Sequence, residues 1–252
     1  ITLDKPAEWT ERNTHYASGK GTEAKPWVIE TPGQMLFIAE DLLAGATRYF
    51  KLGADIDMTG VEWVPLNTED PYDKAIDFDG DGHTISNFSC SSAKYPSMFG
   101  VLYGKVHDVA FTDARVTSTS ATAAVTNSGA YAGIGGLCGK LLDGGAITGS
   151  SMKGTITSTG GKNGVGGIVG VPQNSEIASA WADVTITNNA NYVGGILGYE
   201  SGTVNVHDCW TAGSISANQR IGGIAGGLIK NESAIRNCYS MMTLSASVNI
   251  GG

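Results

Sequence analysis

The sequence predicts an all-β solenoid, a right-handed parallel β-helix with a short N-terminal capping helix. The first observation behind this prediction is a glycine block that returns at a nearly fixed interval. The block at 133–139 (GIGGLCG) is followed by equivalents at 164–170, 192–198 and 220–226. The second glycine of its Gly-Gly pair recurs in steps of 31, 28, 28 and 29 residues, at Gly136, Gly167, Gly195, Gly223 and Gly252. A fixed period of this size is typical of repeat architectures.

The second observation is a strand motif that lies about ten residues behind each glycine block. Residues 206–215 align without gaps with residues 147–156, 177–186 and 235–244. From the fourth position onward, small or apolar residues alternate with polar ones, which is the period of a half-buried strand. No repeat shows the apolar spacing of a crossover helix. Each repeat is therefore predicted to consist of strands and turns.

A parallel β-helix explains this repetition better than a propeller or a sandwich. A propeller blade needs about 40 residues, which is longer than the repeat. In a β-helix, identical residues recur because they stack on their counterparts one strand spacing apart, about 4.8 Å. Parallel β crossovers are almost always right-handed. The glycines are expected at corners where φ is positive or where successive backbones approach closely.

The glycine block resembles the GLUG repeat of bacterial surface proteins. Upstream segments resemble the lead-in that precedes these repeats, so that the resemblance covers roughly residues 21 to 252; they lie at 21–29, 50–58, 63–66, 78–85 and 98–100. The family is mostly described as adhesin-like, and it also occurs in a class of secreted metallopeptidase. The chain has no His-Glu-x-x-His motif, so the peptidase activity is not carried over to it.

Composition and charge indicate an exported protein. The chain has 36 glycines in 252 residues and only 16% charged residues, against a usual quarter. A net charge of −8 argues against nucleic acid and anionic membranes as partners. No apolar run is long enough to span a bilayer. We expect a monomeric piece of a longer precursor, truncated at its C-terminus, located at the bacterial cell surface, either attached to the outer membrane or secreted.

Two regions are predicted along the chain. Residues 1–46 form an N-terminal lead and capping helix, and residues 47–252 form the β-helix with repeats of about 28–31 residues. Thr31-Pro32-Gly33-Gln34 is a capping box with proline at the first helical position. The apolar side of this helix and its end are expected at Leu36, Ile38, Ala39, Leu42, Leu43 and Gly45. The helix would cover the open end of the first coil, and residues 1–20 are expected to be irregular.

An acidic turn at 77–82 is a calcium candidate. Asp77, Asp79 and Asp81 match the first half of an EF-hand loop. The twelfth position of such a loop should be a bidentate glutamate, but here it is Phe88. The favoured interpretation is therefore a turn that leads into a strand, with calcium as the alternative. No other cofactor is expected.

Cysteines and histidines share repeat positions. Cys209 and Cys238 lie one repeat apart and are expected to be free, buried thiols, although their expected separation would permit a disulfide. Cys90 and Cys138 have no obvious partner. His107 and His207 are equivalent but several coils apart, so no joint metal site is expected. The residues that follow them, Asp108 and Asp208, share a position with Asn87 and Asn237, which is typical of a turn that is stabilised by side-chain bonds to the backbone.

Three aromatic residues are the candidate binding residues. If Cys209 and Cys238 point inward, the next residues, Trp210 and Tyr239, point outward, and Trp181 occupies the same position one coil earlier. Such a stripe could receive a sugar ring or an apolar protein side chain. The alternative is a ladder that only stabilises the sheet. Ser151 and Ala110 at the equivalent earlier positions limit the stripe to the C-terminal half.

The function predicted from sequence is that of a noncatalytic, adhesin-like surface protein that binds an extracellular protein or glycan. The alternative is a polysaccharide lyase or hydrolase on a β-helix. A lyase needs clustered Arg and Lys residues, and a hydrolase needs converging carboxylates. The charged residues beyond residue 130 are scattered over different coil positions. No catalytic residue is therefore assigned.

Overall fold

The chain forms a parallel β-solenoid of about 6 turns, with one short helix in the part that the structure describes, which confirms the predicted fold class. The computed structural model describes residues 15–42, 45–68, 74–119, 133–158, 164–189 and 191–251. Helix α1 spans Pro32–Asp41. No helix among the described residues is long and apolar enough to cross a membrane.

The strands are short, and they are numbered here in chain order. They are β1 Trp27–Ile29, β2 Thr47–Leu52, β3 Ile56–Asp57, β4 Glu62–Trp63, β5 Ala75–Asp79, β6 Thr84–Ser86, β7 Ser89–Ser92, β8 Phe99–His107, β9 Ala110–Ser118, β10 Ile134–Gly135, β11 Cys138–Leu141, β12 Ala146–Thr148, β13 Ser151–Ser158, β14 Val165–Gly166, β15 Val169–Pro172, β16 Ser175–Ala178, β17 Trp181–Asn188, β18 Val193–Gly194, β19 Leu197–Tyr199, β20 Val204–His207, β21 Trp210–Gly222, β22 Ala225–Gly227, β23 Ala234–Arg236, β24 Tyr239–Ser240 and β25 Thr243–Gly251.

The pairings between these strands are parallel and define three faces of the coil. Face 1 runs β1-β2-β5-β8-β12-β16-β20-β23. Face 2 is built mainly from β9, β13, β17 and β21, with β6 before them and β24 and β25 after them. Face 3 runs β8-β11-β15-β19-β22. The long strand β8 belongs to faces 1 and 3.

Inward side chains stack on their counterparts to form one core. On face 1 a single stack crosses the solenoid, through Trp27, Phe50, Phe78, Val106, Ile147, Ile177, Val206 and Ile235. On face 2 the equivalent stack is Val116, Ile156, Ile186, Ile215 and Leu244. These registers confirm the gapless alignment of the strand motif. The alternation of inward apolar and outward polar residues fixes this register, because a shift of one residue would turn the apolar side chains toward solvent.

Close backbone approach explains the glycine block. A Cβ added to Gly166 would lie 2.0 Å from the carbonyl oxygen of Val169, three residues later. A Cβ on Gly167 would lie 2.1 Å from the carbonyl oxygen of Gly195 in the next coil. Neither glycine has a positive φ. Of the two expected reasons for these glycines, the structure therefore supports the close approach.

We predict that Gly166→Ala destabilises the solenoid and that Gly251→Ala does not. Both residues are the first glycine of a Gly-Gly pair, but a Cβ on Gly251 would meet its nearest atom at an ordinary 3.7 Å. Urea unfolding should show a loss of roughly 3 kcal/mol for Gly166→Ala. The control should stay within about 0.5 kcal/mol of the wild type. Equal free energies of unfolding for the two variants would refute the steric explanation.

The predicted helix start is confirmed, but its end and part of its apolar side are not. Thr31 is the N-cap, and its hydroxyl accepts a hydrogen bond from the Gln34 backbone N–H at 3.3 Å. The helix ends at Asp41 because Leu42 is extended, so Gly45 does not end it. Ala39 is exposed and the core contacts come instead from Met35, beside the expected Ile38 and Leu42. Leu43 lies outside the described residues.

The N-terminal edge of the solenoid is closed by the chain that precedes the helix. Ala17 and Ser18 form antiparallel backbone hydrogen bonds with Val28 of β1. Tyr16 is buried and stacks on Trp27 with ring centroids 4.9 Å apart. Residues 15–20 are thus held against the first coil, whereas residues 1–14 of the expected irregular lead lie outside the described residues. Strands β1 and β2 pair directly, and the helix connects them along the chain. The division at residue 46 stays a prediction.

All four cysteines are free, as predicted for Cys209 and Cys238. Cys209 is buried as expected, whereas Cys238 is half-buried and not buried. The backbone N–H of Cys209 donates to Cys238 Sγ at 3.4 Å. Burial raises the pKa of the Cys209 and Cys90 thiols to about 12. The buried thiols are therefore poor nucleophiles at neutral pH.

We predict that Cys238 is the thiol that reacts fastest in the folded protein. Ellman's reagent should titrate four thiols after unfolding without reductant, and the rapid native phase should disappear in Cys238→Ser. A count of two thiols in the unfolded wild type would instead demonstrate a disulfide.

Candidate functional site

An aromatic ladder stands on the outer side of face 2. We use this name for Trp181, Trp210 and Tyr239, which are paired in register on β17, β21 and β24. The two indole rings are 4.9 Å apart and inclined by 7°; the Trp210 and Tyr239 rings are 6.3 Å apart and inclined by 11°. Both tryptophans are half-buried, and Tyr239 is 56% exposed. The structure thus brings all three candidate residues together and turns them outward.

The ladder ends where the sequence indicated. Ser151 and Ala110 occupy the same register in the preceding coils, so no ring continues the stack in that direction. Polar groups border the rings. Lys153 and Asp183 form an ion pair at 3.5 Å on the same face, and the Asn237 amide donates to Asp208 at 3.1 Å in the neighbouring turn. The result is an apolar ridge with a charged rim, an arrangement that resembles the energetic centre of a protein interface.

A second group of candidate side chains lies on face 1 around His107. The imidazole Nε2 is 3.3 Å from Asp77, and Nδ1 is 3.4 Å from Asp79 and 3.1 Å from Asp108. Desolvation lowers the pKa of His107, but the hydrogen bond to Asp108 and the charges of Asp79 and Asp77 outweigh it, so the pKa is raised. This cluster, named the His107 site below, is partly open to solvent.

The three calcium candidates are not brought together. Asp77 and Asp79 face His107, whereas Asp81 forms an ion pair with Lys51 at 2.9 Å. The turn interpretation agrees with the structure, because residues 80–83 connect β5 to β6 and the Asp81 backbone N–H donates to Asp79. Sequence reasoning missed His107 as the neighbour of Asp79. Only the coil register, which places the two residues opposite each other, could have shown it.

A related group surrounds His207. Its Nδ1 is 2.7 Å from Asp208, and its Nε2 is 3.1 Å from Glu176. Hydrogen bonds to Asp208 and then Glu176 raise the pKa of His207. Hydrogen bonds from His207 and Asn237 lower the pKa of Asp208.

The predicted Asn/Asp turn position is present, with one correction. Asp108, Asp208 and Asn237 have φ values of 54°, 55° and 52°. Asn87 also has a positive φ, but its backbone N–H donates to Thr112, which places it beside Asp113 at a later corner. The reason is that the first coils differ in length from the later repeats.

We predict that His207 stabilises the fold more at low pH than at high pH. Its folded-state pKa lies above the unfolded value of about 6.5, so its contribution is fully present below that value. The contribution is lost as the pH rises through the folded-state pKa. Urea unfolding of wild type and His207→Gln should therefore give a larger stability difference at pH 6 than at pH 8.5. A difference that does not change with pH would contradict the ion-paired arrangement.

Fold and sites together define a β-solenoid that displays outward ladders of aromatic and charged side chains. No protein-family model matches the chain, and no curated protein matches it. Among solved structures, it is similar to a crystal structure named "putative immunoglobulin A1 protease" from Bacteroides ovatus. That match has 26% identity and a TM-score of 0.77, and it covers 94% of this chain and 87% of the other.

A second similar structure is named "IgA1 Protease". It is 22% identical with a TM-score of 0.54, and the match covers 88% of this chain but 20% of the other, so this likeness shows the fold alone.

The expectation that the chain is not an enzyme is wrong on this comparison, because the Bacteroides neighbour carries the name of a protease. The expectation relied on the absence of His-Glu-x-x-His and of clustered carboxylates. A missing motif excludes only the chemistry that uses that motif, and a β-helix scaffold accepts many kinds of site. The Bacteroides neighbour does fit the predicted bacterial extracellular protein.

Proposed function

We propose that this chain is the substrate-binding β-solenoid of an exported bacterial protein of the immunoglobulin A1 protease kind. In this proposal the aromatic ladder binds immunoglobulin A1 at the cell surface or in the secreted protein. The observation that carries the proposal is the outward stack of Trp181, Trp210 and Tyr239. The likeness to the Bacteroides chain supplies the class of ligand. The GLUG resemblance belongs to the same proposal, since it also implies an extracellular binding protein.

A protein ligand suits this ridge better than a free sugar. Three coplanar rings offer a large, rigid apolar surface, and ordering them costs little because neighbouring rings already restrict them. Single sugars are bound in concave sites, whereas a ridge needs a partner that closes around it and excludes water. A large protein surface can do so. The ion pair of Lys153 with Asp183 would then lie at the rim and contribute mainly to orientation.

We predict that the ladder variant Trp181→Ser, Trp210→Ser, Tyr239→Ser binds immobilised immunoglobulin A1 at least about 30-fold more weakly than wild type. This corresponds to the loss of one strong hot spot, about 2 kcal/mol. The matched control is Tyr103→Ser, which removes an exposed aromatic residue from β8. The control should bind normally. Circular dichroism and urea unfolding must show that the ladder variant is folded, because lost ring stacking costs about 1 kcal/mol per pair.

Two results would oppose the proposal. One is wild-type protein that does not bind immunoglobulin A1, and the other is a folded ladder variant that binds as tightly as wild type. The latter result would make the ladder a purely structural feature of the sheet. The same samples should be analysed for immunoglobulin fragments by gel electrophoresis. Fragments would assign cleavage to these 252 residues, and intact immunoglobulin with tight binding would assign them binding alone.

A further inference from the structure

The His107 site and the His207 group are two copies of one arrangement that differ at a single key position. In each copy the histidine ends a face 1 strand and is followed by an aspartate in the turn. In each copy Nε2 contacts a carboxylate of the preceding coil, Asp77 in the first and Glu176 in the second. The residue directly opposite the histidine in the preceding coil is Asp79 in the first copy and Ala178 in the second.

The extra carboxylate changes the chemistry of the first copy. Asp79, His107 and Asp108 each offer one ligand atom, and these three atoms lie within 4.8 Å of one another. Zinc binds nitrogen at about 2.0–2.1 Å and carboxylate oxygen at about 2.0–2.2 Å, usually in tetrahedral geometry. Two ligand atoms of a tetrahedron of that size are roughly 3.4 Å apart, by the same bond lengths. The observed distances from Nδ1 to the two carboxylates are 3.4 and 3.1 Å.

Asp77 is placed where it can orient the His107 ring. Histidines that bind metals almost always donate their other ring N–H to a carboxylate or carbonyl, which fixes the tautomer and orients the ring. Asp77 lies 3.3 Å from Nε2 and so leaves Nδ1 facing the other two carboxylates. Lys105 lies opposite Asp77 in the next coil, and Lys51 lies opposite Asp79 in the preceding coil, where it forms its ion pair with Asp81 at 2.9 Å.

We propose that Asp79, His107 and Asp108 bind one divalent transition-metal ion of the zinc type, with Asp77 as a positioning residue. One imidazole nitrogen and two carboxylate oxygens leave a fourth position for water. Imidazole is a ligand that zinc, copper and nickel accept well, whereas calcium takes 6–8 oxygen ligands. The side chains of His107 and Asp79 are each 29% exposed, so an ion can enter from solvent. The site is thus distinct from the calcium site that the sequence suggested at Asp77, Asp79 and Asp81.

The chain provides matched variants for the test. Asp79→Ala turns the first copy into the second, and Ala178→Asp turns the second copy into the first. Asp81→Asn removes a nearby carboxylate that the zinc site does not use but the EF-hand-like site would need. Asp77→Asn keeps the ligands and weakens only the orientation of the ring.

Untagged protein should be titrated with Zn²⁺ by calorimetry and with Co²⁺ by visible absorption. Wild type and Asp81→Asn should each bind one equivalent. Asp79→Ala should lose at least about 30-fold in affinity, and Asp77→Asn should lose roughly 10- to 100-fold. Ala178→Asp should bind a second equivalent. Circular dichroism should confirm that each variant keeps its β content.

Several outcomes would overturn the proposal. Wild type that does not bind Zn²⁺ at millimolar concentration would do so, and so would an affinity unchanged by Asp79→Ala. Binding of Ca²⁺ but not Zn²⁺, together with loss in Asp81→Asn, would favour the acidic turn instead. If Ala178→Asp fails to fold, the comparison of Asp79→Ala with Asp81→Asn still tests the proposed zinc site. Both variants remove one exposed or half-buried carboxylate from the same region, but only Asp79 is a proposed ligand.

Discussion

In-register parallel pairing between successive coils is the constraint on which the rest of this structure depends. Each strand bonds to its counterpart about one strand spacing away, so each side chain lies directly on its equivalent in the next repeat. The stack from Trp27 to Ile235 follows this register through every coil of face 1. The same register that builds the core therefore also decides which outward side chains meet. A repeat contacts only its neighbours, so each site is built from two or three adjacent coils.

The glycine block allows the backbones to approach as closely as this pairing requires. Where the chain turns from a short strand into face 3, Gly166 approaches a carbonyl of its own coil and Gly167 a carbonyl of the next one. A side chain at either position would separate the coils, and the hydrogen bonds on the adjacent faces would lengthen with them. The repetition of the block is thus required by packing. It carries no direct information about function, which has to come from positions that differ between repeats.

Local patterns could be predicted from the sequence, whereas contacts across irregular coils could not. The N-cap at Thr31 follows from a local capping box, whereas the free thiols of Cys209 and Cys238 and the outward ladder follow from spacing within regular repeats of 28 or 29 residues. The neighbours of His107 depend on the pairing of β5 with β8, in a region where the coils differ in length. The same irregularity explains why the predicted position of Asn87 was wrong by one corner of the coil. The expectation that the chain is not an enzyme failed for another reason. A sequence motif can indicate a known chemistry, but a missing motif does not show that a protein lacks catalysis.

The candidate sites of this chain lie where residues depart from the repeat. The paired strands hold equivalent positions in similar backbone geometry, so two equivalent positions with different residues present different groups in that geometry. Trp181 follows Ser151 in register and begins the aromatic ladder. Asp79 lies opposite His107, whereas Ala178 lies opposite His207. His107 is therefore surrounded by three carboxylates, those of Asp77, Asp79 and Asp108. The protonated ring can balance only one of these three negative charges. A divalent cation at this position would balance more of them, which is a physical reason to expect the His107 site to bind one.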